Sequence, residues 1–176
     1  MRNVATAVLL FGLATGSVWA QQRPTAAADR AQHPAKPPRV TSIRFHLSSG
    51  MCYGYCYAEL GVEPGEATLL KASWDKDKHK CPDLRVRAGL SDKHWKELAQ
   101  LIDREALLAL PDRIGCPGCV DEVVESIEVR FSDHTKKGVG YNMGSAPKEI
   151  KALSQKLSAL EQKLAKELPP WTRCGQ

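Results

Sequence analysis

The chain contains no Gly-x-Ser-x-Gly elbow, no His-Glu-x-x-His helix and no glycine-rich phosphate loop, so the common signatures of serine hydrolases, zinc proteases and nucleotide-binding enzymes are missing. No histidine follows Cys119, where Val120 stands instead, which excludes covalent haem attachment at the Cys116-Pro117-Gly118-Cys119 segment. Charge of one sign is also scarce. The formal net charge of the 176 residues is +5, too mild to require a nucleic-acid partner. Long apolar runs are limited to the first 20 residues, and that run is shorter than the ~20 apolar residues a spanning helix needs.

Within that first stretch the order is informative. Arg2 forms a short basic start, Val4 to Leu13 an apolar run, and Val18-Trp19-Ala20 ends on a small residue, the three-part organisation of an export signal. No cysteine stands at the expected cleavage point, the first being Cys52, which disfavours a lipid anchor. Removing residues 1–20 takes away only Arg2 among the charged groups and leaves 156 residues carrying +4, about one domain's worth. Residues 21–39 are rich in Ala, Pro and Gln without apolar periodicity, so they read as a leader that buries too little surface to order. The single domain is expected over residues 40–176, in a periplasmic or secreted product.

From Val40 onward, Ile43, Phe45 and Leu47 alternate with Arg44 and His46, the period-two pattern of a half-buried strand. Cys56, Ala58, Leu60 and Val62 repeat it, Pro64-Gly65 supplies a turn, and Ala67 to Trp74 returns. Leu84, Val86 and Ala88 suggest a further strand. Ser91 then caps one helix over Asp92 to Leu108, with Trp95, Leu98, Ala99, Ile102 and Ala106 as its buried stripe. Val123 to Phe131 and Thr135 to Asn142 form a hairpin about Ser132-Asp133-His134. Pro147 opens a last helix carrying Ile150, Leu153, Leu157, Leu160 and Leu164. Those leucines match a coiled-coil seam too, but they are needed to cover a one-sided sheet, which favours a monomer. The order strands, helix, two strands, helix predicts an α+β fold with a mainly antiparallel sheet and two helices packed on one face.

Six cysteines in an exported chain read first as disulfides, with fifteen full pairings open. Local pairing of Cys52 with Cys56 and of Cys116 with Cys119 leaves Cys81 for Cys174. Closing a four- or five-residue loop is worth about 2 kcal/mol, and closing one of ~94 residues nearly 5. Cys116-Pro117-Gly118-Cys119 also invites a redox reading, with Cys116 as nucleophile and Cys119 as resolving thiol. A thioredoxin-like site would place this motif at a helix N-terminus, whereas here a helix and loop precede it and a strand follows, so a structural loop staple is favoured. A zinc site of Cys52, Cys56, Cys116 and Cys119 has acceptable spacing but competes with oxidation in the same compartment; neither metal nor cofactor is expected.

Other groups read more plainly. Asp121, Glu122 and Glu125 could do acid–base work if their environments differed, but exposed charges at a strand start are the simpler account. His79 with Cys81 lies in a basic loop, and His94 and His134 are isolated. Tyr53, Tyr55 and Tyr57 beside a turn, together with Asp121, are the candidate binding surface, since tyrosine supplies contact area at low entropy cost.

The segment Cys52-Tyr53-Gly54-Tyr55-Cys56 after an opening strand, Leu107-Leu108-Ala109-Leu110-Pro111-Asp112 at a helix end, Asp121 before the next strand, and Tyr141 followed by Pro147 together resemble a family of exported bacterial proteins classed only as a domain of unknown function. The likeness spans Val40 to Trp171. The chain departs from it at Tyr57 and Glu59, where family members usually carry Pro and Tyr, and in its additional Cys81, Cys174 and Cys-Pro-Gly-Cys insert. The resemblance implies the fold and export and assigns no catalytic residue. The expected product is an exported, disulfide-stabilised, non-catalytic binding or accessory protein of the cell envelope, its partner an envelope protein or polymer. The competing expectation is a thiol-disulfide oxidoreductase.

Overall fold

The computed structural model describes residues 37–168 except 51, 53, 75–80 and 120. The expected signal segment, most of the leader, Tyr53, His79 and Cys174 therefore lie outside the described residues.

Seven strands and three helices follow in the order β1 (Val40–Ser49), β2 (Tyr57–Glu63), β3 (Glu66–Ala72), β4 (Leu84–Gly89), α1 (Asp92–Gln100), α2 (Arg104–Ala109), β5 (Arg113–Ile114), β6 (Val123–Phe131), β7 (Lys136–Asn142) and α3 (Lys151–Ala165). The strands form one sheet in the order β4-β3-β2-β1-β6-β7-β5. Every pairing is antiparallel except the two-residue β5 against β7, so the fold is α+β with a mostly antiparallel, mixed sheet. No helix of the described residues is long and apolar enough to cross a membrane.

Alternation builds the core. Ile43, Phe45, Leu60, Val62, Leu69, Ile127, Val129, Val139 and Tyr141 point to one side and join Leu98, Leu107, Leu153, Leu157 and Leu164 of the helices in a single buried cluster. The turns obey their residues: Gly65 adopts φ 91° between β2 and β3, and between β6 and β7 the Phe131 amide donates to the Thr135 carbonyl at 2.9 Å.

One expectation needs correction. The single helix over Asp92–Leu108 is two helices, because Asp103 takes an extended conformation and its carboxylate accepts from the Ala106 amide at 3.1 Å, capping α2. The chain thereby turns and buries Leu107, 1% exposed, as the anchor of α2. The short parallel strand β5 was also not expected; the Gly140 amide donates to the Asp112 carbonyl at 2.8 Å and draws this segment alongside β7.

Candidate functional site

The face of the sheet opposite the apolar cluster is set by register. Cross-strand pairing places Arg85, Leu70, Glu59, His46, Ser126 and Gly140 in one row, and Arg87, Thr68, Gly61, Arg44, Glu128 and Gly138 in the next. Same-face neighbours in such rows lie within side-chain reach.

Across the first of these rows and the one beyond it, His46, Glu59 and Tyr57 form a hydrogen-bonded network. The Tyr57 hydroxyl donates to Glu59 Oε2 at 2.7 Å, and His46 Nδ1 stands 2.8 Å from the same hydroxyl oxygen. A hydroxyl has one proton, so with that proton on Glu59 the His46 Nδ1 is the donor and Nε2 carries the free lone pair of the neutral ring. Arg44 Nη1 approaches the other oxygen of Glu59 at 3.6 Å. Burial lowers the His46 pKa below its ordinary value, outweighing the opposing pull of Glu59. Burial and the bond to Glu59 push the Tyr57 phenol upward, so it stays protonated. Trp74, 59% exposed, lies 6.0 Å from the Tyr57 ring and donates from Nε1 to the Ser49 carbonyl at 3.1 Å. The result is a fixed patch with a wide aromatic face, an imidazole acceptor and a guanidinium.

Beside it the Cys52–Cys56 disulfide closes the connection from β1 to β2, with Cα atoms 5.6 Å apart. Cys56 is 6% exposed, and the Ser49 amide donates to its carbonyl at 3.0 Å, so this loop is tied to the sheet. Tyr55 turns the other way, its hydroxyl donating to the Pro82 carbonyl at 2.8 Å. Of the three tyrosines expected to form a surface, Tyr57 is thus on the network, Tyr55 braces the start of β4, and Tyr53 lies outside the described residues. Cys81 is disulfide-bonded and 1% exposed; its expected partner, Cys174, lies outside the described residues.

Cys116–Cys119 is a different object. The Cys119 amide donates to the Cys116 carbonyl at 3.1 Å and Gly118 has φ 82°, a turn with Pro at its second and Gly at its third position, as type II requires. Both cysteines are exposed, and the Arg113 guanidinium donates to the Pro117 carbonyl at 3.2 Å. The motif joins β5 to β6 and does not open a helix, unlike the placement in which a helix N-terminus stabilises a thiolate. With both local pairs oxidised, the four thiolates of the alternative zinc site are engaged in disulfides.

The acidic group at the start of β6 divides. Asp121 and Glu122 are exposed, Glu122 accepting from the Asn142 amide. Glu125 is 4% exposed, which overturns its reading as a solvated charge: it shares strand parity with Ile127 and Val129 and therefore points into the core layer. The same parity buries Lys71, which pairs with Glu161 of α3 at 3.1 Å. His94 and His134 serve local structure, His94 Nδ1 lying 3.2 Å from the capping Ser91 hydroxyl and His134 taking φ 66° in the β6–β7 turn.

Compared with family models, curated proteins and solved structures, the chain matches none. Its site is accordingly read from its own residues.

Proposed function

We propose that this chain is an exported, disulfide-stabilised, non-catalytic binding or accessory module of the bacterial cell envelope, which engages an envelope protein or polymer through the open face of its sheet. The reading takes residues 1–20 as an export signal and 21–39 as a leader, takes the helices to cover one sheet face and leave the other open, and keeps the resemblance to the exported bacterial family of unknown function. The observation that carries it is the patch of Arg44, His46, Tyr57 and exposed Trp74. Aromatic and guanidinium groups of this kind, Arg44 and Tyr57 on strands and Trp74 just past the end of β3, are the residue types that dominate binding energy at interfaces. The protons of the network are used internally, Tyr57 on Glu59 and His46 on Tyr57, which suits recognition better than turnover.

The test is co-sedimentation of the mature protein with isolated bacterial envelopes. Trp74→Ala combined with Tyr57→Phe should lower the bound fraction about tenfold or more, while Cys116→Ser with Cys119→Ser should leave it unchanged. Because both cysteines of the exposed turn are accessible, thiol–disulfide exchange is the competing activity. Intact-mass thiol counting in a glutathione buffer poised at about −200 mV addresses it directly. Selective opening of Cys116–Cys119 there, with loss of envelope association in the serine variant, would replace the binding reading by a redox one.

A further inference from the structure

On the other side of the sheet, a cavity of about 350 Å³ opens where the start of β6, the turn after β7 and α3 come together. Glu125 lines it while remaining 4% exposed. Its Oε2 accepts from Ser154 Oγ at a long 3.3 Å, and the Gly144 amide and the Tyr141 hydroxyl are the other donors beside it. Burial nonetheless pushes its carboxyl above the ordinary glutamate range. No cation among the described residues pairs with it, in contrast to Glu161, which has Lys71 at 3.1 Å. Met143, 58% exposed, forms an apolar wall, and Lys151 and Gln155, both exposed, stand at the rim.

A buried carboxylate held by neutral donors alone, with no cation, is an expensive arrangement unless something completes it. An ammonium group does so, supplying the opposite charge and three N–H donors for Glu125 and the Ser154 oxygen. Lys151 offers a second, opposite contact, and the volume falls at the small end of ligand pockets. We propose that this cavity binds a small α-amino-acid zwitterion, free or as a short peptide, with its ammonium on Glu125, its carboxylate toward Lys151 and its side chain against Met143. The site is separate from the open sheet face and stands whether or not that face binds envelope material.

The experiment is an NMR titration of labelled mature protein with four probes: L-alanine, L-alanyl-L-alanine, the N-acetylated dipeptide and the dipeptide amide. Saturable shifts of the Met143, Gly144 and Ser154 amides are expected with the first or second probe, and whichever binds tighter identifies a free amino acid or a peptide terminus as the source. Acetylation should weaken binding about tenfold or more, and amidation about threefold. Glu125→Gln should reproduce the acetylation loss. Lys151→Met, an exposed change that leaves the core intact, should bind the dipeptide and its amide equally. The proposal is overturned by equal affinity for the acetylated and free dipeptides, by a Lys151→Met protein that still prefers the free carboxylate, or by no saturable shift at these amides up to about 10 mM probe. Trp74→Ala should leave all four affinities unchanged.

Discussion

Two tyrosine–glutamate pairs occupy opposite faces of the same sheet and meet opposite fates. On the face opposite the apolar cluster Tyr57 donates to Glu59, His46 closes on the hydroxyl oxygen, and Arg44 approaches the second carboxylate oxygen. In the core layer Glu125 and Tyr141 are direct cross-strand partners, yet the Tyr141 hydroxyl, fully buried, makes no hydrogen bond of good geometry. Burial pushes that phenol up to about 12 and raises the carboxyl beside it. Identical chemistry is satisfied where water is near and left incomplete where it is not. Since buried polar groups normally find partners, the incomplete pair is the one that asks for a ligand, and the complete pair is the one ready to present a fixed surface.

The largest test of the two faces uses their ion pairs. Lys71→Met strands Glu161 in the core, where the pair now stands at 3.1 Å, and should cost about 3–5 kcal/mol in urea unfolding. Replacing both partners with apolar residues should recover most of that loss. Arg87→Ala, which removes an exposed contact to Glu66 on the face opposite the apolar cluster, should change stability by no more than about 0.5 kcal/mol. Similar losses at the two positions would mean that the Arg87–Glu66 contact is shielded from water in solution.

The two disulfide loops offer a second, smaller contrast. Each short loop constrains the unfolded chain by about 2 kcal/mol. Replacing Cys52 and Cys56 by Ala also removes packing around Cys56, 6% exposed, so that variant should lose more stability in urea than the one lacking the exposed Cys116–Cys119 turn. The reverse ranking would indicate that the exposed turn organises β5 and β6.

The tyrosines themselves should move in opposite directions. Tyr57→Phe removes the donor to Glu59 and should cost about 1 kcal/mol, whereas Tyr141→Phe removes a buried hydroxyl with no hydrogen bond of good geometry and should gain about 1. Thermal unfolding of the two variants measures the difference of roughly 2 kcal/mol. A destabilised Tyr141→Phe would show that its hydroxyl is bonded in solution.

These contrasts also mark what the amino-acid pattern discloses. Alternation located β1, β2, β4 and β6, which carry apolar residues at every second position, and the turns at Pro64-Gly65 and Ser132-Asp133-His134 located β3 and β7 as their return strands. The same alternation contained the burial of Glu125 and Lys71, both at inward parity, but their charge suggested solvent and hid the signal. The break between α1 and α2 was written as an Asp three residues before Ala106, a capping pattern masked by the continuous apolar period around it. β5 has two residues and no period to detect. The His46–Tyr57–Glu59 network needs the β1–β2 register, which sets His46 opposite Glu59; long-range pairing of this kind has no local trace. The Cys116–Cys119 turn was legible because Pro and Gly occupy the positions its dihedral angles demand.

The smallest effect separates the two networks by the sign of their pH response. Glu125 has a folded pKa above its ordinary value of 4.5, so in the window above 4.5 the native state holds more protons than the unfolded chain, and its contribution to stability falls as pH rises. His46 has a folded pKa below 6.5, so just below 6.5 the unfolded chain holds more protons, and its contribution rises with pH. The two slopes oppose one another and partly cancel in the parent protein. Glu125→Gln should remove the falling component and leave unfolding free energies that climb more steeply between about pH 5 and 6.5. His46→Gln should do the opposite and flatten or invert the climb. Urea midpoints measured across that range for both variants decide the matter. An amine ligand bound at Glu125 would hold its carboxylate ionised and should mimic the first variant, which makes the pH profile with and without L-alanyl-L-alanine a check that links the incomplete pair to its proposed partner.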